Sequence, residues 1–473
     1  MASDSENWTR ARLIPVSGIG SEKEAETRAA SAVLAVLSIA RDLSVALFSP
    51  MGASRASKAT VETFIEPQFP LDGKKIRPDG LIRISFGKSE WVALVEVKTG
   101  DAHLEADQIN AYWEIARQQG FDAIVTISNE ISASPGAHPT DGLRVRSNSK
   151  VQVHHVSWTA LLTTAVMFKA HKGVDDPEQA WLVGELIRYL EHSASGAMAF
   201  DDMGPNWVDV RDGARDGALR KTDAAVQDIA VRWDQLLTYA ALQLGARIGQ
   251  DVQAVLSRAH TDQKVRLAHL IEALSSSRPL DGVLRVPNTI GDIEISADIK
   301  ARRITAGVTV LAPEDRGGRA RCSWILGQLR DAPPGMVIEA YPKNARSPYT
   351  VTLGDALENR DLLLGPEKRD PTKFRLLVTQ EMGAGRKSSR KPGFIDSILG
   401  LIELFYGSVV QNLTGWTPKA PKISAPKATP AVVDDDHEDI EPRDNPPPAS
   451  EPSSPPPAFR VPVVEWRWTP PAE

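Results

Sequence analysis

Two short polar segments on neighbouring predicted strands constrain this chain more than any other part of it. The first, at 77–80, reads Arg-Pro-Asp-Gly and precedes an apolar run, and the second, at 95–100, reads Val-Glu-Val-Lys-Thr-Gly and ends another. The polar loop between the two runs predicts a β-hairpin. Residues two apart in a strand share a face, so Glu96 and Lys98 project together. Antiparallel pairing would then bring Asp79 beside Glu96.

Charged side chains on such an apolar strand require either compensating partners or a bound ligand. Burying Glu96 and Lys98 costs free energy unless they are paired or bind something. Two carboxylates can hold Mg²⁺, and a neighbouring ammonium can orient a water molecule and offset charge on a phosphate. These are the needs of phosphodiester hydrolysis. The alternative interpretation is an ion pair on one face of an edge strand.

The surrounding periodicity predicts an α/β domain over roughly residues 10–170. Its elements follow the order helix, three strands, helix, two strands and a closing helix. They are helix Ser21–Phe48, strands Val61–Glu66, Leu81–Phe86 and Trp91–Lys98, helix Leu104–Gln119, strands Ala123–Ile127 and Val151–Val156, and helix Trp158–Lys169. The nearly continuous apolar strand that begins at Ala123 is typical of a buried parallel strand.

In this setting Asp79, Glu96 and Lys98, in the order Pro-Asp … Glu-x-Lys, resemble the signature of the PD-(D/E)xK nuclease superfamily. The helix after the motif carries Gln108 and Tyr112, which share a face because they are four residues apart. This pair resembles the Q-x-x-x-Y element of RecB-type members. The resemblance covers about a third of the chain. It implies a restriction-endonuclease-like core, which is a mixed central sheet flanked by helices.

The resemblance also implies a role for each residue of the motif. Asp79, Glu96 and the backbone carbonyl of Val97 would bind Mg²⁺, with Mn²⁺ as the alternative ion. Lys98 would position and help activate a water molecule for in-line attack on phosphorus. The implied cofactor is therefore a divalent cation, and the implied partner is a nucleic acid.

Residues outside the motif complete the predicted site. Gln108 and Tyr112 would help to position substrate or water, and the alternative makes them ordinary surface residues of an amphipathic helix. A further metal-binding glutamate is expected on the first helix. Glu26 is the preferred candidate, with Glu24 and Glu22 as alternatives. A solvated acid favoured by the helix dipole would explain the same residues without a metal.

The rest of the chain carries little chemical information. Residues 171–280 are predicted to be mostly helical, and 281–415 to form a smaller mixed α/β accessory domain. We expect a loop at Asp201–Gly217, a long helix at Asp223–Ser257 and a last amphipathic helix at Ile395–Gln411.

Basic residues are concentrated in the same half of the chain. A basic loop at 382–391 lacks the glycine that a P-loop requires before its lysine, so it is either a phosphate contact or a solvated loop. Further basic residues in this half are Arg302, Arg303, Arg316, Arg319 and Arg321.

Composition changes sharply after Trp416. Fifteen of the 34 prolines fall in the last 57 residues, together with an acidic cluster at 434–439. Such a segment buries too little apolar surface to fold, so 416–473 is predicted to be a disordered Pro-rich acidic tail. Its end, at 461–468, regains apolar and aromatic residues. This end is either part of the disordered tail without a function of its own, or a docking motif that binds a protein partner or the folded part of this chain.

Net charge and cysteine content limit the functional classes. The chain of 473 residues has a net charge of −6, and the residues after Trp416 contribute −4 of it, so composition shows no global nucleic-acid-binding surface. Cys322 is the only cysteine, which excludes an internal disulfide and a cysteine-built zinc site. No signal peptide or clean membrane span is expected. We therefore predict a cytoplasmic protein without membrane association.

Two functions remain in competition. The first is a Mg²⁺-dependent nuclease that hydrolyses phosphodiester bonds of DNA, and a homodimer would suit it because many nucleases of this class cut two strands as dimers. The second is a catalytically inactive relative, a binding or stress-related scaffold protein that recruits partners through its tail. Intact Asp79, Glu96, Lys98 and Gln108 favour the first. The acidic composition is the argument for the second.

Overall fold

The strand that carries Glu96 lies inside a six-stranded mixed sheet of the computed structural model. The structure describes residues 9–10, 22–55, 58–133, 136–145, 149–173, 176–192, 195–387 and 390–417. Apart from Trp416 and Thr417, the predicted disordered tail and its docking motif lie outside the described residues.

The first sheet combines antiparallel and parallel pairing. Its strands lie in the order β1-β2-β5-β6-β7-β8, and β3 and β4 form a separate two-stranded ribbon. The strands are β1 (Thr9–Arg10), β2 (Thr60–Ile65), β3 (Phe69–Leu71), β4 (Lys74–Ile76), β5 (Gly80–Phe86), β6 (Ser89–Val97), β7 (Ala123–Ser128) and β8 (Gln152–Ser157). The first four strands of the order pair antiparallel, whereas β6, β7 and β8 are parallel. The predicted mixed sheet and the predicted parallel strand at Ala123 are confirmed.

Helices cover both faces of this sheet. They are α1 (Glu22–Ile39), α2 (Arg41–Phe48), α3 (Ala106–Gln119), α4 (Trp158–Met167) and α5 (Pro177–Glu191). Side chains of α1, α2, α4 and α5 share a core with Val95 and Val97 of β6. Leu94, which points the other way, packs in a second core with α3 and the β3–β4 ribbon. The period of two in β6 therefore separates two cores.

The first predicted helix is broken in the structure. It bends by 108° at Ala40, so that α1 and α2 are separate helices. The Ser44 hydroxyl donates hydrogen bonds to the carbonyls of Leu37 and Ala40. The bond to Leu37 satisfies a backbone oxygen that a continuous helix would pair internally, whereas the Ala40 carbonyl also accepts the Ser44 backbone N–H at 3.1 Å. Because apolar residues on both sides of the bend face the same core, periodicity alone does not show the break.

The second sheet is antiparallel throughout and has seven strands in the order β14-β13-β15-β12-β11-β10-β9. The strands are β9 (Gln253–Ala254), β10 (Leu280–Arg285), β11 (Ile293–Asp298), β12 (Arg303–Leu311), β13 (Val337–Pro342), β14 (Tyr349–Thr352) and β15 (Pro371–Glu381). The helices are α6 (Trp207–Asp216), α7 (Ala224–Ile248), α8 (Gln263–Ser275), α9 (Gly318–Leu326), α10 (Leu353–Glu358) and α11 (Phe394–Ser408). Members of α7, α8, α9 and α11 share one core with the strands.

Two expectations for this half are corrected. The segment 201–217, expected to be a loop, contains α6, because Trp207, Val210 and Ala214 fall on one helical face and are buried. The long helix expected to continue to Ser257 ends at Ile248. Gly249 follows it with a φ of 67°, a left-handed conformation that terminates helices.

One helical stretch of the described residues is long and apolar enough to cross a membrane. It covers Phe394–Asn412, and 44% of it is buried within the structure. Phe394, Ile398 and Phe405 belong to the core of the second sheet. Core helices pass the same length and composition test, so this stretch is accounted for by packing.

The residues after β7 connect the two sheets. Asn129 donates from Nδ2 to the carbonyl oxygens of Gly100 (3.0 Å) and Gly196 (2.8 Å). Ile131 is buried in the core of the second sheet, and its carbonyl accepts a hydrogen bond from Gln235 of α7 at 3.1 Å. The segment that follows β7 of the first sheet is thereby attached to a helix that packs on the second sheet.

Gly80 allows α1 to lie close to the sheet directly beside Asp79. A Cβ atom at this position would lie 2.4 Å from Leu34 Cδ1 and 3.2 Å from the carbonyl oxygen of Phe64. The Thr63 hydroxyl also donates to the Leu34 carbonyl at 3.0 Å, which fixes the helix against β2. A side chain at position 80 would therefore overpack the contact between Leu34 of α1 and the sheet.

We expect Gly80→Val to destabilise the protein by about 1–3 kcal/mol, because overpacking displaces α1. Urea unfolding followed by circular dichroism measures the change. Gly317→Val is the matched control, since no heavy atom lies within 4 Å of its added Cβ. Equal unfolding free energies for the two variants would contradict the close packing of α1 on Gly80.

Candidate active site

The register of the hairpin places Asp79 at the end of β6. Gly80 pairs with Val95 across the β5–β6 ladder. Asp79 precedes Gly80, and its Oδ2 accepts a hydrogen bond from the Val97 backbone N–H at 2.8 Å. The Asp79 carbonyl accepts another from the Glu66 N–H at 3.0 Å. The carboxylate is therefore held next to the Glu-x-Lys segment.

Glu96 is the most deeply buried acid of the site, with a side chain that is 1% exposed. Its Oε2 accepts a hydrogen bond from the Tyr112 hydroxyl at 2.8 Å. Its Oε1 lies 2.7 Å from Lys98 Nζ. This ion pair with the ammonium compensates the charge on Oε1. The two oxygens of Glu96 are thus held by two different groups.

Gln108 and Tyr112 extend this arrangement along α3. Tyr112 is 2% exposed, and its hydroxyl accepts a hydrogen bond from Gln108 Nε2 at 2.9 Å. Burial, and next the charge of Glu96, raises the pKa of Tyr112 well above its ordinary value. The hydroxyl therefore stays protonated and donates to Glu96. The structure brings both residues of the Q-x-x-x-Y pair to Glu96.

Lys98 lies between two carboxylates. Its Nζ is 2.7 Å from Glu96 Oε1 and 3.7 Å from Glu26 Oε2. Its backbone is fixed as well, because its N–H donates to the Ile127 carbonyl at 2.8 Å and its carbonyl accepts from Trp158 Nε1 at 2.8 Å. The preferred glutamate of the first helix therefore reaches the motif. The side chain of Glu22 lies outside the described residues.

The site contains more negative than positive charge. Glu26, Asp79 and Glu96 face a single ammonium group, that of Lys98. Burial raises the pKa of Asp79 well above its ordinary value, and the charge of Glu96 raises it further. Burial also raises the pKa of Glu26. For Lys98, burial lowers the pKa, but the surrounding carboxylates, above all Glu96, outweigh it and leave the pKa raised. The ammonium therefore keeps its charge at neutral pH.

A polar row continues from Glu96 across the parallel strands. Glu96 is in register with Thr126 of β7, which is in register with His155 of β8. The Thr126 hydroxyl lies 2.9 Å from His138 Nε2 and 3.0 Å from His155 Nδ1. No sequence pattern indicates His138, because it lies in a loop far from the motif. Only the strand register reveals this row.

The hydrogen bonds of this row define two neutral histidines. His138 Nδ1 accepts from the Thr140 N–H at 3.1 Å, so its Nε2 carries the hydrogen and donates to Thr126. His155 Nε2 donates to the Glu130 carbonyl at 2.7 Å, so its Nδ1 accepts from the Thr126 hydroxyl. Burial lowers the pKa of His138 to about 4 and also lowers that of His155. The row therefore fastens the loop after β7 to the sheet.

The described residues contain one group whose three potential metal-ligand atoms lie within 4.8 Å of one another, and it is not at the motif. It consists of His260, His269 and Asp281. Asp281 Oδ1 lies 2.6 Å from His269 Nε2, and its Oδ2 accepts from the buried Arg266 at 3.0 Å. An ion-pair network centred on Arg266 and Asp234 accounts for this group. The three carboxylates of the motif are spaced more widely, with Lys98 among them.

Two basic residues of the loop at 382–391, Arg386 and Lys387, are paired with acids. Arg386 Nε lies 3.0 Å from Asp202, and Lys387 Nζ lies 3.8 Å from Asp201 and 3.5 Å from Asp202. Residues 388 and 389 lie outside the described residues. These contacts hold the loop to the segment before α6.

No protein-family model matches the chain, and comparisons with curated proteins and with solved structures found no match either.

We expect Asp79→Asn to raise the melting temperature of the protein in EDTA by about 2 °C or more, because it removes a buried negative charge next to Glu96. A carboxyl group whose folded-state pKa is raised adds stability below its unfolded pKa of about 4 and loses it as pH rises through the folded value. The melting temperature of the unsubstituted protein should therefore fall as the pH rises from 4 to 8, and that of the variant should fall less.

Asp122→Asn is the matched control, because Asp122 Oδ2 also accepts a hydrogen bond from a backbone N–H of β6, that of Val92 at 2.8 Å. This control should not gain stability. A lower melting temperature for Asp79→Asn than for the unsubstituted protein would refute the charge imbalance. Differential scanning fluorimetry between pH 4 and 8 measures both.

Proposed function

We propose that the chain is a metal-dependent nuclease of the PD-(D/E)xK type, which hydrolyses phosphodiester bonds of DNA. The observation that carries the proposal is the convergence of Glu26, Asp79, Glu96 and Lys98 at the end of one strand, where acidic groups exceed basic groups by two. A structural ion pair needs one acid and one base. A cluster with this excess suits a divalent cation.

The donor set fits a hard cation. Carboxylate and carbonyl oxygens are the ligands that Mg²⁺ and Mn²⁺ prefer. Glu96 Oε1 has only the Lys98 ammonium as its partner, and burial raises the pKa of both Asp79 and Glu26. Asp79, Glu96 and the Val97 carbonyl would hold the ion, with Glu26 as a further ligand. A bound Mg²⁺ supplies Lewis-acid stabilisation of phosphate charge and lowers the pKa of water.

The protein side chains then have distinct tasks. Lys98 keeps its charge, so its ammonium can donate a hydrogen bond to the attacking water and offset charge on the phosphate. Tyr112, itself held by Gln108, fixes Glu96 Oε2 and so orients the carboxylate. Such supporting contacts matter because small errors in ligand position cost affinity and rate.

Two exposed lysines close to Asp79 in the sequence support a phosphate backbone as substrate. Lys74 and Lys75 lie on strand β4, a few residues before Asp79. Within the described part of the chain, neither has a carboxylate within ion-pair distance. Their placement supports nucleic acid as the partner, although the whole chain is acidic.

The strand arrangement supports a restriction-endonuclease-like core. The antiparallel strands β2, β5 and β6 are followed by the parallel strands β7 and β8, with α3 as the crossover helix. We assign this core to residues 10–170, a helical region to 171–280, an accessory domain to 281–415 and the tail to 416–473. A cytoplasmic location, homodimerisation and recruitment of a protein by the tail belong to the same proposal.

We expect the purified full-length protein to cleave linear, circular or single-stranded DNA with Mg²⁺ or Mn²⁺, and EDTA to stop the reaction. Glu96→Gln and Lys98→Ala should each lower the rate by about 100-fold or more, since each removes a charge that acts on the reacting phosphate or its metal. Gel assays with labelled DNA and RNA measure cleavage and substrate preference.

Glu90→Gln is the matched control, because Glu90 lies on the same strand but forms an exposed ion pair with Arg83 at 3.0 Å. It should keep full activity. If Lys98→Ala leaves the cleavage rate unchanged, the proposed site is refuted and a contaminating nuclease is indicated. If no substrate is cut under any condition, the inactive scaffold becomes the better interpretation.

Tyr112→Phe tests the positioning of Glu96. Loss of the hydroxyl should raise the Mg²⁺ concentration for half-maximal activity by about tenfold, as is usual for groups that orient metal ligands. The fold should be retained, because the ring keeps its packing. Tyr239→Phe, another buried tyrosine, is the control and should leave the Mg²⁺ dependence unchanged. An unchanged Mg²⁺ dependence for Tyr112→Phe would remove Tyr112 from the site.

A further inference from the structure

A pocket lined by arginine and tryptophan lies in the half of the protein that contains the second sheet. Its volume is about 600 Å³, within the usual range for ligand sites. Its polar and aromatic lining consists of Arg316, Arg319, Ser323, Trp324, Arg360 and Trp416. The described lining contains three guanidinium groups and no carboxylate.

Neighbouring residues hold two of these guanidinium groups in place. Arg319, on α9, forms a two-point contact with Asp361. Arg360 begins the short 3₁₀ helix Arg360–Leu364, and its Nη1 donates to the Ser323 hydroxyl at 2.8 Å. Because these contacts fix the groups before a ligand arrives, less side-chain entropy is lost on binding.

Two cations of the pocket have no acidic partner. Neither Arg316 nor Arg360 has a carboxylate within 4.0 Å among the residues that the structure describes. The Arg316 guanidinium lies over the ring of Trp416, 4.7 Å from its centroid, and Trp416 Nε1 is buried without a hydrogen-bond partner. By contrast, Arg285 and Arg369 of this half are exposed but paired with acids. The pocket thus concentrates unpaired positive charge beside aromatic faces.

We propose that this pocket binds a segment of single-stranded nucleic acid. Arg316 and Arg360 contact phosphates, and Trp416 stacks on a base. Aromatic platforms flanked by cations are the usual means of holding single strands without sequence preference. The choice of nucleic acid as the ligand rests on the proposed nuclease function. The pocket would then hold substrate through the accessory region, independently of the carboxylate site.

Binding can be tested without cleavage in the full-length Asp79→Asn protein. The probe is a fluorescein-labelled single-stranded oligonucleotide, measured by fluorescence anisotropy at several salt concentrations. Combining Arg316→Ala with Arg360→Ala should weaken binding at least about tenfold at low salt and reduce the salt slope by about 1.4, since two phosphate contacts are lost. Trp416→Ala should weaken binding by about 5- to 100-fold.

Arg285→Ala is the matched control, because Arg285 is also exposed but paired with Asp292 at 2.8 Å. It should leave binding unchanged, and melting temperatures should show that every variant is folded. Binding that the pocket variants do not weaken overturns the inference. So does a pocket that binds a synthetic peptide of the acidic segment 434–439 but not the oligonucleotide, because it would then be a protein-docking site.

The cleavage assay separates this inference from the proposed function. Oligonucleotide binding that depends on Arg316 and Arg360, in a protein that cuts no substrate, supports the pocket and refutes the nuclease. DNA cleavage that depends on Lys98, together with binding that ignores the pocket variants, supports the nuclease and refutes the pocket.

Discussion

The burial of Glu96 is the constraint on which the candidate site depends. A carboxylate that is 1% exposed must be compensated, and here the ammonium of Lys98, the residue after the same strand, and a tyrosine hydroxyl on the following helix do so. Each contact requires a specific element: β6 must present both charged residues on one face, and α3 must place Tyr112 over the sheet. The hairpin then brings Asp79 to the same point. The compensation is incomplete, since the acids outnumber the base, and this imbalance is the main reason to infer a cation.

Much of this arrangement was predictable from the sequence because it depends on local rules. The period of two places Glu96 with Lys98, the polar loop specifies the hairpin, and the spacing of four aligns Gln108 with Tyr112. These rules act over a few residues, so they do not depend on the rest of the fold. The mixed sheet followed from the same patterns. The roles of these residues in catalysis and metal binding remain predictions.

Features that depend on distant residues were not predictable. The bend at Ala40 leaves the apolar pattern of the first helix intact, since both parts face one core. The polarity of 201–217 hid α6, whose three buried residues are held by α7 and α11. His138 lies beside Thr126 because of the path of a loop. Arg360 lies near Arg316 and Trp416 because a distant part of the chain packs against α9. In each case tertiary contacts between separated segments decided the outcome.

The connection through Asn129 and Ile131 has a consequence for how the protein folds. The carbonyl of Gly100, just beyond Lys98, is held by a side chain whose neighbour is anchored in the other core. The end of the strand that carries Glu96 is therefore linked to the core of the second sheet. Cooperative units of this kind open together rather than separately. The part of the chain that carries the motif is accordingly not a module that can be exchanged between proteins, and the remaining residues act as its structural support.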